Sequence, residues 1–156
     1  MNDTVTIITS ATGYQIVKSF GGVDYQQLKF SPGQEFLASQ HPVHDLQSLA
    51  SVIGGLEGEA TKAVLRGLPL LPENEPVAKQ SQNFSSTSRH WCMTDIDSLP
   101  WDGDFHDHKA MLEYTSFHLP LEFQQADCWY RFFSSIGIKA GIRVHLWYWL
   151  ERPCSD

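Results

Sequence analysis

The run Arg143-Val-His-Leu-Trp-Tyr-Trp-Leu150 constrains the fold more than any other stretch of this chain. Its aromatic and β-branched residues favour extended backbone. Alternation puts His145, Trp147 and Trp149 on one face and Val144, Leu146, Tyr148 and Leu150 on the other. A strand apolar on both faces is central and covered, so the C-terminal part of the chain is expected to build a sheet around it. His145 then becomes a half-buried histidine beside whatever shares its face; the plain alternative is a core histidine hydrogen-bonded to a neighbour.

A second strand is expected over Arg89 to Asp97, ending in Met93-Thr94-Asp95-Ile96-Asp97 before the loop opener Ser98-Leu99-Pro100. Side chains alternate along it, so Asp95 and Asp97 share a face, about 6 to 7 Å apart along the strand, with Thr94 and Ile96 on the other. Two carboxylates so placed suit a hard divalent cation, although such an ion needs more than two oxygens. A solvated strand end, with carboxylates capping backbone N–H groups, is the competing reading. The following loop adds Asp102, Asp104, His106, Asp107 and His108, either a solvated acidic loop or a source of further ligands; it lacks the spacing of an EF-hand.

At 156 residues and 42% hydrophobic the chain can bury a core as one domain, with two lobes. No stretch is long and apolar enough for a membrane span, and Met-Asn-Asp-Thr does not open a secretion signal. Three widely spaced cysteines, Cys92, Cys128 and Cys154, suit a reduced cytoplasmic protein. A net charge of −7 argues against a surface that grips phosphate backbones unaided. The charge is uneven, however. Beyond Tyr130 the bases Arg131, Lys139, Arg143 and Arg152 outnumber Glu151 and Asp156, so an anion site is expected in the C-terminal quarter.

In chain order, Thr4 to Thr9 reads as a strand, with short strands expected at Tyr14 to Ser19 and Tyr25 to Phe30. A helix is expected over Asp45 to Leu56, its buried stripe being Leu46, Leu49, Ala50, Ile53 and Leu56, with His44 or Asp45 as cap. His41 and His44 read as surface and capping residues rather than a metal pair. Lys62 to Arg66 is a short strand. Residues 72–88, rich in Pro, Glu, Gln and Ser, read as a linker or mobile loop between an N-terminal αβ lobe over residues 1–71 and a second lobe over residues 89–156. In the second lobe a helix is expected over Pro120 to Phe133, with Phe123, Ala126, Trp129, Tyr130 and Phe133 as its stripe and Gly137 beyond its end.

An Asp-x-Asp closing one strand, then a helix, then a Ser/Gly-rich turn leading into a strand with an inward histidine (Ser134 through His145 to Leu150) resembles the catalytic core of the archaeo-eukaryotic primase superfamily. It is most similar to the primase or primase-polymerase domains of replication proteins on plasmids, prophages and integrated elements, over about Arg89 to Pro153. The resemblance implies an α+β fold, an RRM-like core with an N-terminal αβ lobe. It implies that Asp95 and Asp97 hold catalytic Mg²⁺ or Mn²⁺, and that Ser134 or Ser135, Lys139, Arg143 and His145 touch the phosphates of an incoming nucleoside triphosphate, His145 counting among the catalytic residues.

The implied activity is metal-dependent nucleotidyl transfer on a single-stranded DNA template, with a helicase domain in the same polypeptide as a possible partner. The serine-to-histidine spacing is longer than the family's. The family also carries a third acidic residue on a later strand, while this chain stops at Cys154-Ser155-Asp156. The expectation is therefore an N-terminal fragment of a larger replication protein, or a degenerate domain with little or no turnover alone. Two other readings stay open. One is a non-catalytic module that binds nucleic acid or a replication partner. The other is a metal-dependent nicking protein, against which stand the aspartate between His106 and His108 and the lack of a marked tyrosine nucleophile.

Overall fold

In the computed structural model, residues 2–18, 20–21, 26–27, 35–73 and 75–155 are described. The fold is α+β with antiparallel sheets and few helices. Two compact units are present: Met1–Trp91 together with Leu150–Asp156, and Cys92–Trp149.

The first unit is built on β1 (Asp3–Ser10), whose β-branched run pairs antiparallel with β4 (Phe36–Val43) and β5 (Lys62–Leu65), giving the order β4-β1-β5. Between β1 and β4 the two-residue strands β2 (Phe20–Gly21) and β3 (Gln26–Gln27) pair with each other. Of the two strands expected there, the described residues 14–18 are irregular, Ile16 and Val17 donating their backbone N–H to Ala60 O; most of the second falls outside the described residues.

Helix α1 (Leu46–Gly54) buries Leu49 and Ile53, as its spacing predicts. Asp45 caps it, accepting from Ser48 N while Ser48 Oγ accepts from Asp45 N, so two N–H groups left over at the helix start are satisfied. His44 is exposed beside the cap, and His41 Nε2 lies 3.0 Å from Ser39 Oγ.

The stretch expected as a linker or mobile loop is pinned at two points. Val77 exchanges both backbone bonds with Phe36 at 2.8 Å and is buried with Ile8, Phe36 and Ala38. Phe84 packs on the same cluster, and its strand β7 (Phe84–Ser85) pairs with β6 (Leu68–Pro69). Composition averaged over residues 72–88 hides these two apolar anchors, which carry the local burial.

The second unit holds β8 (Arg89–Leu99, its first three residues in the first unit), α2 (His108–Phe117), α3 (Leu121–Gln124), β9 (Cys128–Phe132) and β10 (Ile142–Cys154, in the first unit from Leu150). The sheet order is β8-β10-β9, so the doubly apolar strand is central as expected. β9 and β10 are antiparallel. β8 and β10 are antiparallel too, because Asp95 meets His145 whereas Asp97, further along β8, meets Arg143, earlier on β10.

In the second unit two elements depart from the sequence reading. The helix expected over Pro120 to Phe133 is a single turn, α3, followed by β9. Cys128-Trp-Tyr-Arg-Phe132 alternates as well with period two as with period 3.6, and the free edge of β10 supplies five paired residues that a helix would forgo. Helix α2 occupies a stretch left without an element. Its buried face is only Met111 and Thr115, too narrow to stand out, but Asp107 caps its start by accepting from Ala110 N at 3.0 Å. Among the described residues no helix is long and apolar enough to cross a membrane.

Candidate functional site

Along β8, Met93, Asp95 and Asp97 are exposed while Thr94 and Ile96 are half-buried, so the two carboxylates share the open face as alternation requires. On the opposite face, Val144, Leu146 and Tyr148 of β10 are buried. The His108 ring lies 4.8 Å from Phe132 and the Phe123 ring 4.8 Å from Tyr148, so α2 and α3 cover that side. Burial pushes the Tyr148 hydroxyl well above its usual range, with Cys128 and Cys92 adding to it; Cys92, Cys128 and Cys154 form no disulfide among the described residues.

Two cross-strand rows form the site. In the first, His145 Nε2 lies 3.5 Å from Asp95 Oδ1, and Arg131 of β9 stands opposite His145 on its other side. The Phe133 ring packs 4.4 Å from the His145 ring. In the second, Arg143 donates through Nη1 to Asp97 Oδ1 and through Nη2 to Ser98 Oγ. Side chains directly opposed across strands face the same way, which is why a sequence separation of 46 residues becomes contact. Asp97 is 59% exposed and Arg143 15%, so solvent reaches and screens the pair from its carboxylate side.

Backbone geometry fixes the end of β8. Ser98 has φ +70, in the left-handed region that side chains avoid, and Gly141 at φ +78 lies against it. A Cβ on Gly141 would stand 2.7 Å from Leu99 O and 2.8 Å from Ser98 C, so only glycine permits this approach. The strained turn keeps Ser98 Oγ 3.3 Å from Asp97 Oδ1 and within reach of Arg143.

Desolvation lowers the His145 imidazole below its ordinary value of 6.5; Asp95 opposes this and Arg131 adds to it. The unfolded chain therefore takes up this proton more readily than the folded one. The stability it contributes is held above pH 6.5 and is lost as the pH falls through the folded value. In a ring-proton NMR titration, Asp95→Asn is expected to lower the His145 pKa further and Arg131→Gln to raise it. A rise in the first variant or a fall in the second would contradict the charge arrangement around the ring.

The structure thus brings Asp95, Asp97, Arg143 and His145 together. Ser134, Ser135 and Lys139 lie in the turn between β9 and β10, where Ser135 is buried and its carbonyl accepts from Lys139 N at 2.9 Å. Arg131 and Ser98 join the site unannounced by the sequence: the first looked like one more charge, the second like a loop opener. In the acidic loop, Asp104 accepts from His106 N and Asp107 caps α2, so both serve backbone groups.

Among the described residues no group of three or more His, Cys, Asp or Glu converges as a metal centre. Mg²⁺ is commonly held by one or two carboxylates, with water and substrate phosphates completing its shell, and Asp95 with Asp97 fits that donor pattern. Comparison with protein-family models, with curated proteins and with solved structures finds no match to this chain.

Proposed function

We propose that the open face of β8, β10 and β9 is a metal-dependent nucleotidyl-transfer site of the primase-polymerase kind, using nucleoside triphosphates and a single-stranded DNA template. The observation that carries this reading is the convergence of Asp95 and Asp97 with His145 and Arg143 on one sheet face, where both carboxylates are exposed. The element order supports it as well. A strand, a helical segment and two further strands arranged β8-β10-β9 follow the order expected of the split β-α-β unit in an RRM-like core. Helices α2 and α3 pack on the other face, while Asp95 and Asp97 are exposed on this one.

Asp95 and Asp97 would hold Mg²⁺ or Mn²⁺, which when bound neutralises charge on the triphosphate and on the leaving oxygen. His145, kept neutral at pH 7 by burial, would donate one N–H to a phosphate oxygen rather than add a full charge. Arg143 presents a planar fork that matches two phosphate oxygens at once. Arg131, opposite His145, adds a positive charge on the β9 side.

Asp95→Asn and Asp97→Asn are each expected to weaken Mn²⁺-dependent nucleotide binding by at least about tenfold in calorimetry, a loss of 1.4 kcal/mol or more. Nucleotide binding that is unchanged in both variants would sink the reading. A non-catalytic module that binds nucleic acid or a replication partner is the second reading, favoured by the side chain already seated against each carboxylate, Arg143 on Asp97 and His145 beside Asp95. It takes over if wild-type protein shifts single-stranded DNA but binds nucleotide no better with metal than without.

A further inference from the structure

The Arg143 guanidinium occupies the very carboxylate that a divalent ion would need. It is held there by Asp97 and Ser98, the latter fixed in a left-handed turn by the close approach of Gly141. Yet the arrangement leaves the guanidinium incompletely satisfied: its buried Nε has no hydrogen-bond partner among the described residues. A buried donor without an acceptor is uncommon in a resting structure and marks a group that gains by taking another partner. The Asp97 side of the pair is solvated, so water can meet the carboxylate once Arg143 leaves it.

We infer that Arg143 is an exchangeable counter-ion: it masks Asp97 in the free protein and moves onto the triphosphate when the metal–nucleotide complex enters. This rests on the nucleotidyl-transfer reading and deepens it, because it names the ligand that the site admits. Free metal meets Asp97 already neutralised and a guanidinium beside it that repels a second cation. A metal–triphosphate complex brings its own acceptors for Arg143. Asp97 is released in the same step, and Nε, Nη1 and Nη2 can turn to phosphate oxygens. Metal and nucleotide are then positively coupled through one side chain, in the manner of any two ligands that compete against a shared internal contact. Ser98 is a positioning residue in this scheme, since it orients the fork without touching the phosphates.

Two measurements test the exchange. In wild-type protein labelled at arginine Nε, the Arg143 Nε–H resonance is expected to move on addition of Mg²⁺ with a nucleoside triphosphate and to stay in place with Mg²⁺ alone. Separately, Arg143→Gln removes the charge but keeps an amide that can bond Ser98. By electron paramagnetic resonance it is expected to bind Mn²⁺ without nucleotide about fivefold tighter than wild type, the lower end of typical coupling between sites. Its nucleotide affinity is expected to fall about tenfold with the loss of charge-assisted bonds. Arg143→Lys, which retains the charge, is expected to leave Mn²⁺ binding close to wild type.

An Arg143 resonance unmoved by bound nucleotide overturns the exchange, as does equal Mn²⁺ affinity in wild type and a folded Arg143→Gln protein; the nucleotidyl-transfer reading survives either result. Should wild type bind no metal–nucleotide complex at all, that reading falls and the exchange falls with it.

Discussion

Asp3→Ala is expected to destabilise the protein by about 3 to 5 kcal/mol, because it strands a buried arginine. The Arg89 and Asp3 side chains are only 4% and 7% exposed, and Arg89 Nη1 lies 2.9 Å from Asp3 Oδ1. The same carboxylate accepts from Thr4 N at 2.6 Å and, through Oδ2, from His90 N at 2.5 Å. Arg89 also donates through Nη1 to Thr4 Oγ1 and through Nε to Arg66 O.

Removing Asp3 therefore leaves the buried Arg89 charge without its counter-ion and two backbone N–H groups, those of Thr4 and His90, without their carboxylate acceptor. The double variant Asp3→Leu/Arg89→Met removes both charges together and is expected to cost less than Asp3→Ala alone, since burying two apolar groups avoids the stranded ion. Urea unfolding followed by far-ultraviolet circular dichroism measures both. A double variant less stable than the single one would mean that the network contributes more than its desolvation takes away.

Gly141→Ala is expected to cost about 3 kcal/mol or more, combining left-handed backbone strain with a backbone clash. The new Cβ would meet Leu99 O at 2.7 Å, Ser98 C at 2.8 Å and Ser98 Cα at 3.0 Å, none of which can rotate aside. The ends of β8 and β10 would have to part, carrying Ser98 and Asp97 away from Arg143. Gly137→Ala is the control. At φ +71 it pays a similar backbone strain, but its Cβ would find Phe105 Cβ at an ordinary 3.5 Å, so about 1 to 2 kcal/mol is expected. Equal losses in the two variants, read from the same urea curves, would show that strand approach at Gly141 plays no part.

These cases divide what could be read along the chain from what could not. The strands over β1, β5, β8 and β10, and helix α1 with its Asp45 cap, were legible because their patterning is local and unambiguous. The two-faced apolar run of β10 even announced its central place. Cys128 to Phe132 was not legible, because five residues rich in aromatics satisfy either period and only the edge of β10 chooses between them. Val77 and Phe84 were lost in a polar average, and α2 had too narrow a buried face to separate its pattern from the acidic loop before it.

The candidate site divides in the same way. The sequence by itself determined that Asp95 and Asp97 share a face, that His145 sits on a central strand, and that the C-terminal quarter carries the excess of positive charge, since each follows from alternation or composition. Only the tertiary structure decided that β8 lies beside β10 in the antiparallel register that seats Arg143 on Asp97 and His145 beside Asp95, with Arg131 beyond. Register between distant strands depends on pairing and on one close approach, at Gly141, and neither is written in the local pattern of either strand.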